Sequence, residues 1–159
     1  MNRPIASLCT AIAFCVSISA KAPVLTHVFD IRAEIGSAIN GGQNPHGVSV
    51  TIPITGGEVT GKVNGKLIPG GADYQIVNPD QQRSELRAIY TILTNDSVAI
   101  HVCNEGINRF APDDSYFMTS PKFDCDINSP YNWLNNRIFV CRPVGFEQDA
   151  ITLRVWMAE

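Results

Sequence analysis

The sequence predicts an all-β protein with little helix, on three observations. Residues His27–Ile35 alternate apolar and polar side chains, and residues 48–55 repeat that alternation. A period of two is typical of half-buried strands, because successive side chains point to opposite faces. Turn-forming residues separate such stretches at short intervals, and only residues 81–85 and 126–136 could form a short helical turn. Many short strands joined by hairpins indicate a barrel or a sandwich rather than an α/β fold.

The strand predictions follow the chain in order. In the first stretch, one face carries Phe29, Ile31, Ala33 and Ile35. Further strands are predicted at residues 58–63, 71–77, 86–93, 98–104, 116–120, 137–142 and 150–157. The turn signals between strands are Gly56-Gly57, Asn64-Gly65, Pro69-Gly70-Gly71, Asn78-Pro79-Asp80 and Asn95-Asp96. We expect Asn64-Gly65 to form a two-residue hairpin turn with positive φ at both residues. We expect Gly70-Gly71 to bend the next strand.

Length and charge narrow the class of protein. The 159 residues are the length of one domain, and no internal repeat or linker divides them. Apolar residues make up 45% of the chain and charged residues 17%, which argues against disorder. The net charge is −3 without a cluster of Lys or Arg. We therefore expect no nucleic-acid partner and no anionic membrane partner.

Residues 1–20 have the layout of a secretory signal peptide. Arg3 gives a positive start, residues 5–20 are uncharged and mostly apolar, and Ser19 and Ala20 are small. A membrane anchor is the alternative, but the run is shorter than the ~20 apolar residues of a spanning helix. A buried N-terminal element is a second alternative. We expect residues 1–20 to be cleaved and residues 21–159 to form a secreted domain.

The cysteines and the missing motifs exclude several site classes. Without the signal, the chain keeps Cys103, Cys125 and Cys141. One pair could be bridged with one thiol left over, and all three pairings stay open. The spacing matches no zinc motif, so no metal site is predicted. Neither a Gly-rich phosphate loop nor a nucleophile elbow is present, and no cofactor is predicted.

Four stretches together resemble a known protein family. They are Pro53-Ile-Thr-Gly-Gly57 with Gly61 and Pro69-Gly-Gly-Ala-Asp-Tyr-Gln75; Tyr90-Thr91 with residues 94–96 and 104–106; residues 116–124; and residues 131–135 with 138–140. In this order and spacing, residues 25–155 resemble the bacterial and fungal family of uncharacterised proteins known as domain of unknown function 3237 (DUF3237), also labelled UPF0311.

The resemblance implies a lipocalin-like fold for residues 21–159, a single closed antiparallel β-barrel of about eight to ten strands. It implies little chemistry, since the family has no established general reaction. Some small barrel proteins act as cyclases or isomerases, which is an analogy at the level of the fold. The family often has Asp-Ala-Arg before the strand tyrosine, where this chain has Arg87-Ala88-Ile89. A role for that acid–base pair therefore does not carry over.

Asp73 is the first candidate for a catalytic residue. It shares one face of a predicted strand with Gln75, because the two residues are separated by one position. If that face lines a cavity, burial would raise the pKa of the Asp73 carboxyl and suit it to acid or base work. Alternatively, Asp73 is structural and accepts hydrogen bonds from turn amides near Gly70 and Gly71.

His101 and Arg87 are the candidate assistants of Asp73. His101, Cys103 and Glu105 share one face of another predicted strand, where Glu105 could orient the imidazole for proton transfer. Since apolar residues occupy the opposite face, a solvent-facing His101 is the simpler interpretation.

Aromatic side chains supply a surface for an apolar ligand. The candidate binding residues are Gln75, Tyr90, Tyr116, Phe117, Trp133 and Asn135. Alternatively, Trp133 plugs the closed end of the barrel and Asn135 bonds to the loop backbone. In addition, Asn95-Asp96-Ser97 is a sequon in a predicted hairpin turn, so Asn95 is a candidate glycosylation site in a eukaryotic host.

These features predict a secreted barrel that binds a small, largely apolar molecule in its interior. One alternative is a cofactor-free cyclase or isomerase that acts on a hydrophobic natural product through Asp73. Another is a structural or interaction protein with a filled core. An enclosed volume of roughly a few hundred Å³ with converging polar groups would favour binding or catalysis. The oligomeric state stays open, and a homodimer is one of the states considered.

Overall fold

A computed structural model describes residues 21–159. The predicted signal peptide, residues 1–20, lies outside the described residues and stays a prediction. The strands are β1 (Leu25–Ile35), β2 (Ile39–Asn44), β3 (Gly47–Gly61), β4 (Gly65–Asn78), β5 (Arg83–Thr94), β6 (Ala99–Ala111), β7 (Asp114–Cys125), β8 (Phe139–Phe146) and β9 (Ala150–Ala158). Two 3₁₀ turns, Pro79–Gln81 and Asn132–Asn136, complete the secondary structure. No helix in the described part of the chain is long and apolar enough to span a membrane.

Eight of the strands close into an antiparallel barrel, which confirms the predicted fold class. The order around the barrel is β1-β9-β8-β7-β6-β5-β4-β3, and pairing of β1 with β3 closes it. The short strand β2 pairs with the first half of β3 and lies beyond the barrel wall. Sequence patterning missed β2 because its residues are almost all exposed and show no apolar alternation.

The predicted alternation in β1 is confirmed. Phe29, Ile31 and Ala33 are buried inside the barrel. On the outer face, Arg154 of the neighbouring strand donates to Asp30 at 2.9 and 3.0 Å. From Phe29 to Ala33 the period of two therefore separates an apolar interior from a charged exterior, whereas a register shift between His27 and Phe29 leaves Val28 buried as well.

Aromatic side chains fill one end of the barrel. Phe123 makes edge-to-face contacts with Phe29 and Phe139, at centroid distances of 5.5 and 5.0 Å. Trp133, on the 3₁₀ turn Asn132–Asn136, packs against Phe139 at 5.9 Å. This turn confirms the helical turn predicted within residues 126–136, and it covers the packed end.

Two turn predictions are wrong, and close backbone contacts explain both. Gly56 and Gly57 lie inside β3, where the register with β4 shifts between Ile54 and Glu58. Gly57 has φ +130°, and a Cβ there would collide with the carbonyl oxygen of Arg32. The pair therefore forms an irregularity in one long strand rather than a turn between two strands.

Asn64-Gly65 does not form the predicted two-residue turn. β3 ends at Gly61 and β4 begins at Gly65, and the positive φ belongs to Gly61. The Asn64 side chain closes the loop by donating to the Gly61 carbonyl oxygen at 2.8 Å. A Cβ on Gly65 would collide with the backbone of Leu93, so this glycine permits close strand approach.

Two smaller predictions are also settled. Residues 81–85 do not form a helical turn, because β5 already begins at Arg83 and the 3₁₀ turn is Pro79–Gln81. Cys103, Cys125 and Cys141, the cysteines of the described region, are all free thiols. Burial raises the pKa of the Cys141 thiol to about 12, so it is a neutral core residue near pH 7.

Candidate functional site

A cavity of about 250 Å³ occupies the barrel interior away from the aromatic end. One wall is apolar and comes from β1, β3 and β9, with Ala33, Ile35, Ile52, Ile54, Ile151 and Leu153. The other wall comes from β4 to β7 and also contains Leu86, Ala88 and Phe117, but it carries the polar side chains Asp73, Gln75, Tyr90, Asn104 and Thr119. We call these five residues the polar wall.

Strand register brings the polar wall together. Asp73 pairs with Ala88, and Ala88 pairs with Asn104, so these three lie at one level of the barrel. Partners in an antiparallel ladder point to the same face, and the small Ala88 side chain leaves space between the two polar ones. Asn104 is not among the predicted site residues, although it follows Ile100 and Val102 on the buried face of β6. That polar residue on an apolar face was the available signal.

Gly70 and Gly71 produce the predicted bend next to this wall. Between Ile68 and Ala72, the register of β4 against β5 shifts. Gly70 has φ +114°, and a Cβ on Gly71 would lie 2.6 Å from the Cβ of Tyr90. Glycine at this bulge therefore lets β4 pass close to Tyr90, immediately before Asp73.

The polar wall holds unpartnered polar atoms. Within residues 21–159, the buried side-chain atoms without a hydrogen-bond partner are Asp73 Oδ1, Tyr90 Oη, Asn104 Oδ1 and Thr119 Oγ1. All four residues line the cavity. Buried polar atoms are normally paired, and an unpaired one costs about 1–3 kcal/mol. Because all four residues line one cavity, polar groups of a bound molecule could form hydrogen bonds with these atoms there.

The surroundings of Asp73 disfavour the charged form of its carboxyl group. Burial raises the pKa of its carboxyl, while hydrogen bonds from Gln75 and the Arg87 backbone act in the opposite direction. Gln75 Nε2 donates to Asp73 Oδ2 at 2.7 Å. Among the described residues, no Lys, Arg or His lines the cavity, so no cation stabilises the carboxylate. Within residues 21–159, the Asp73 carboxylate accepts no hydrogen bond from the amides of Gly70 or Gly71.

Tyr90 and Glu147 are the other ionisable groups that line the cavity. Burial raises the pKa of the Tyr90 phenol, and the nearby Cys141 and Asp73 add to the effect. Tyr90 is therefore a neutral donor and acceptor near pH 7. The Arg32 guanidinium, by contrast, lowers the pKa of Glu147 through hydrogen bonds of 2.7 and 2.9 Å.

The structure does not bring His101 or Arg87 to Asp73. Both side chains are exposed on the outer face of the barrel. Arg87 forms an ion pair with Glu105 across the β5–β6 ladder at 3.1 Å. They are separated from the cavity because outward positions alternate with the inward positions of Ala88, Tyr90 and Asn104.

The predicted ligand-binding residues divide between the cavity and other places. Gln75, Tyr90 and Phe117 line the cavity. Tyr116 is exposed, and Trp133 packs in the aromatic end. Asn135 Oδ1 accepts from the Cys125 amide at 3.0 Å, and its Nδ2 donates to the Cys125 carbonyl oxygen at 3.0 Å. This pair of bonds holds the loop after β7.

Asn95 lies exposed in the predicted turn between β5 and β6. Its glycosylation stays a prediction. In the described part of the chain, no group of three or more His, Cys, Asp or Glu side chains is placed to hold a metal ion.

Comparison with known proteins assigns the family. A UPF0311 protein of Bradyrhizobium diazoefficiens is 39% identical over 72% of this chain and 83% of its own length. A crystal structure of a conserved protein of unknown function from Rhodopseudomonas palustris has a TM-score of 0.78 at 32% identity, over 87% of this chain and 99% of that one. A structure described as an enzyme from Penicillium herquei has a TM-score of 0.72 at 25% identity, over 89% and 98% of the two chains. Residues 23–158 match the family described as a protein of unknown function, DUF3237, and the chain belongs to this family.

Proposed function

We propose that the barrel binds a small, largely apolar molecule that carries a hydrogen-bonding group. The observation that supports this proposal is the coincidence of the four unpartnered polar atoms with one wall of a cavity whose opposite wall is apolar. Ligand sites commonly combine an apolar lining with a few converging polar groups that fix orientation. The location of this binding outside the cell is a separate proposal that depends on residues 1–20 alone.

The size of the cavity sets the size of the ligand. An engineered apolar cavity of about 150 Å³ holds a benzene molecule. At about 250 Å³, this cavity has room for roughly two fused rings or a chain of similar bulk. This volume also favours binding over the alternative of a filled core.

The polar wall specifies the chemistry of one end of the ligand. Asp73 can accept a hydrogen bond as a carboxylate or donate one when protonated, and Tyr90 and Thr119 are hydroxyl groups. A hydroxyl or carbonyl group on the ligand would satisfy these atoms. A cationic group on the ligand is not required, since the hydroxyl groups of Tyr90 and Thr119 can pair with a neutral hydroxyl or carbonyl group.

A cofactor-free proton-transfer enzyme is the second candidate. The raised pKa of Asp73 in a largely apolar cavity favours it, because general acids and bases work best when their pKa approaches the ambient pH. The similar fold of the Penicillium herquei protein, which is described as an enzyme, adds support. In this case Tyr90 and Asn104, rather than His101 and Arg87, would share the cavity with Asp73.

Filling the cavity tests the proposed site. Ala88 lies between Asp73 and Asn104, so Ala88→Phe places a ring in the space the ligand would occupy. We expect it to weaken the binding of 2-naphthol, measured by fluorescence titration, at least about tenfold, a loss of about 1.4 kcal/mol. The matched control is Ala99→Phe, which adds the same ring at an exposed position of β6.

The control should bind 2-naphthol as the parent protein does. Urea unfolding of both variants verifies that each is folded under the binding conditions. Equal affinities of folded Ala88→Phe and the parent would place any binding outside the cavity and refute the proposal.

A further inference from the structure

The pairing between β7 and β8 is the shortest in the barrel wall. These strands share a single paired position, Thr119 with Cys141. Toward the cavity end, β7 continues to pair with β6 as far as Asp114, and β8 continues to pair with β9 as far as Phe146. Beyond this paired position β7 and β8 are not paired with each other, and residues of both strands line a hollow there. We call this boundary between the two ladders the slit.

Side-chain hydrogen bonds tie each edge of the slit to strands on the same side of it. Arg109 Nε donates to Asp114 Oδ2 at 2.6 Å, which braces the β6–β7 hairpin. Arg32 donates to Glu147, next to Phe146, which braces the β8–β9 turn against β1. On the closed side, Ser120 Oγ donates to the Phe139 carbonyl oxygen at 3.0 Å. None of these hydrogen bonds joins the two edges to each other at the cavity end.

Two phenyl rings lie at the slit, between the interior cavity and a hollow on the outside. This hollow, of about 570 Å³, lies between the β6–β7 hairpin and β8. Phe117 and Phe146 line both this hollow and the interior cavity. Phe146 is 72% exposed, so packing in the core does not fix the position of its ring.

We infer that the slit between β7 and β8 is the portal through which the ligand enters the barrel, with Phe146 as its gate. This inference depends on the proposed binding function. The other walls near the cavity have longer ladders of paired residues, and aromatic side chains fill the opposite end. Two rings flanking a narrow slit suit a flat, ring-bearing molecule, which can pass between them in face-to-face or edge contact.

Stopped-flow fluorescence with 2-naphthol tests the portal. A gate changes the barrier for entrance and exit alike, so it alters the association and dissociation rate constants in the same direction, whatever its contact with the bound ligand adds to the affinity. We expect Phe146→Ala to raise the association and dissociation rate constants by about threefold or more, and Phe146→Trp to lower both. Tyr74→Ala, which removes an exposed aromatic side chain from the outer face of β4, should leave both unchanged.

The outcomes separate the portal from the binding function. Failure of the parent protein to bind 2-naphthol would remove the proposed function, and the portal with it. Normal binding with unaltered rate constants in both Phe146 variants would overturn the portal alone. A change confined to the dissociation rate constant would also overturn it, because Phe146 would then be a ligand contact rather than a gate.

Discussion

Phe139→Ala is expected to lower the free energy of unfolding by about 3–5 kcal/mol, the usual cost of removing a buried phenyl ring. Phe139 is 1% exposed and contacts both Phe123 and Trp133. Its removal leaves a void in the aromatic end, where the rings depend on one another for packing. Urea denaturation monitored by circular dichroism measures the change.

The control for this prediction is the same substitution on the same strand. Phe146→Ala removes a ring that is 72% exposed, so a loss of about 0.5 kcal/mol or less is expected. Equal losses for the two variants would contradict the description of Phe139 as packed in the aromatic end and of Phe146 as exposed.

Asp73→Asn is expected to raise the stability of the ligand-free protein near pH 7, by about 1–3 kcal/mol. The amide has nearly the shape of the carboxylate and leaves one polar atom equally unpaired, but it carries no charge, and an imperfectly paired buried charge costs more than the ~1–3 kcal/mol of an unpaired neutral group. The Asn side chain can still accept the hydrogen bond from Gln75. A thermal melt would show a higher Tm, since 1 kcal/mol corresponds to about 2–4 °C for a domain of this size.

The pH dependence of the same variant identifies the cause. Because burial raises the pKa of Asp73 in the folded protein, the folded state binds the proton more tightly than the unfolded state. Asp73 therefore contributes most stability below its unfolded pKa of about 4, and this contribution is lost as the pH rises through the raised pKa. The advantage of Asp73→Asn should shrink as the pH falls and vanish near pH 4. A variant that is destabilised at every pH would assign Asp73 a structural role.

Local patterning predicted the strands that face both solvent and core. The alternation in β1 identified Phe29 and Ile31 as interior, and the bend at Gly70-Gly71 was visible in the sequence. Asp73 and Gln75 were placed on one face because a period of two needs no information from other strands. The same local reasoning failed for Gly56-Gly57, because their role depends on the backbone of β1, which is distant in sequence.

Which residues meet at the site depends on the pairing between strands, and local sequence patterns do not show that pairing. Whether Asp73 meets Asn104 or His101 depends on which face of each strand turns inward and on the register across β5. A shift of one residue would exchange the two faces. The cavity exists where inward-pointing side chains are small, such as Ala33 and Ala88. It ends where inward-pointing phenyl rings fill the barrel. Only the register shows which residues share a level.

The direct test of the central proposal compares the affinities of 2-naphthol and naphthalene for the parent protein and for the double variant Tyr90→Phe, Thr119→Val. The two probes share their rings and differ by one hydroxyl group, which the polar wall should bind. We expect the parent to prefer 2-naphthol by about two- to tenfold, since a hydrogen bond contributes about 0.5–1.5 kcal/mol. The double variant should narrow this preference because two of the unpartnered oxygens are gone. Equal affinity of the parent for both probes, or no affinity for either, would contradict a ligand site built on the polar wall.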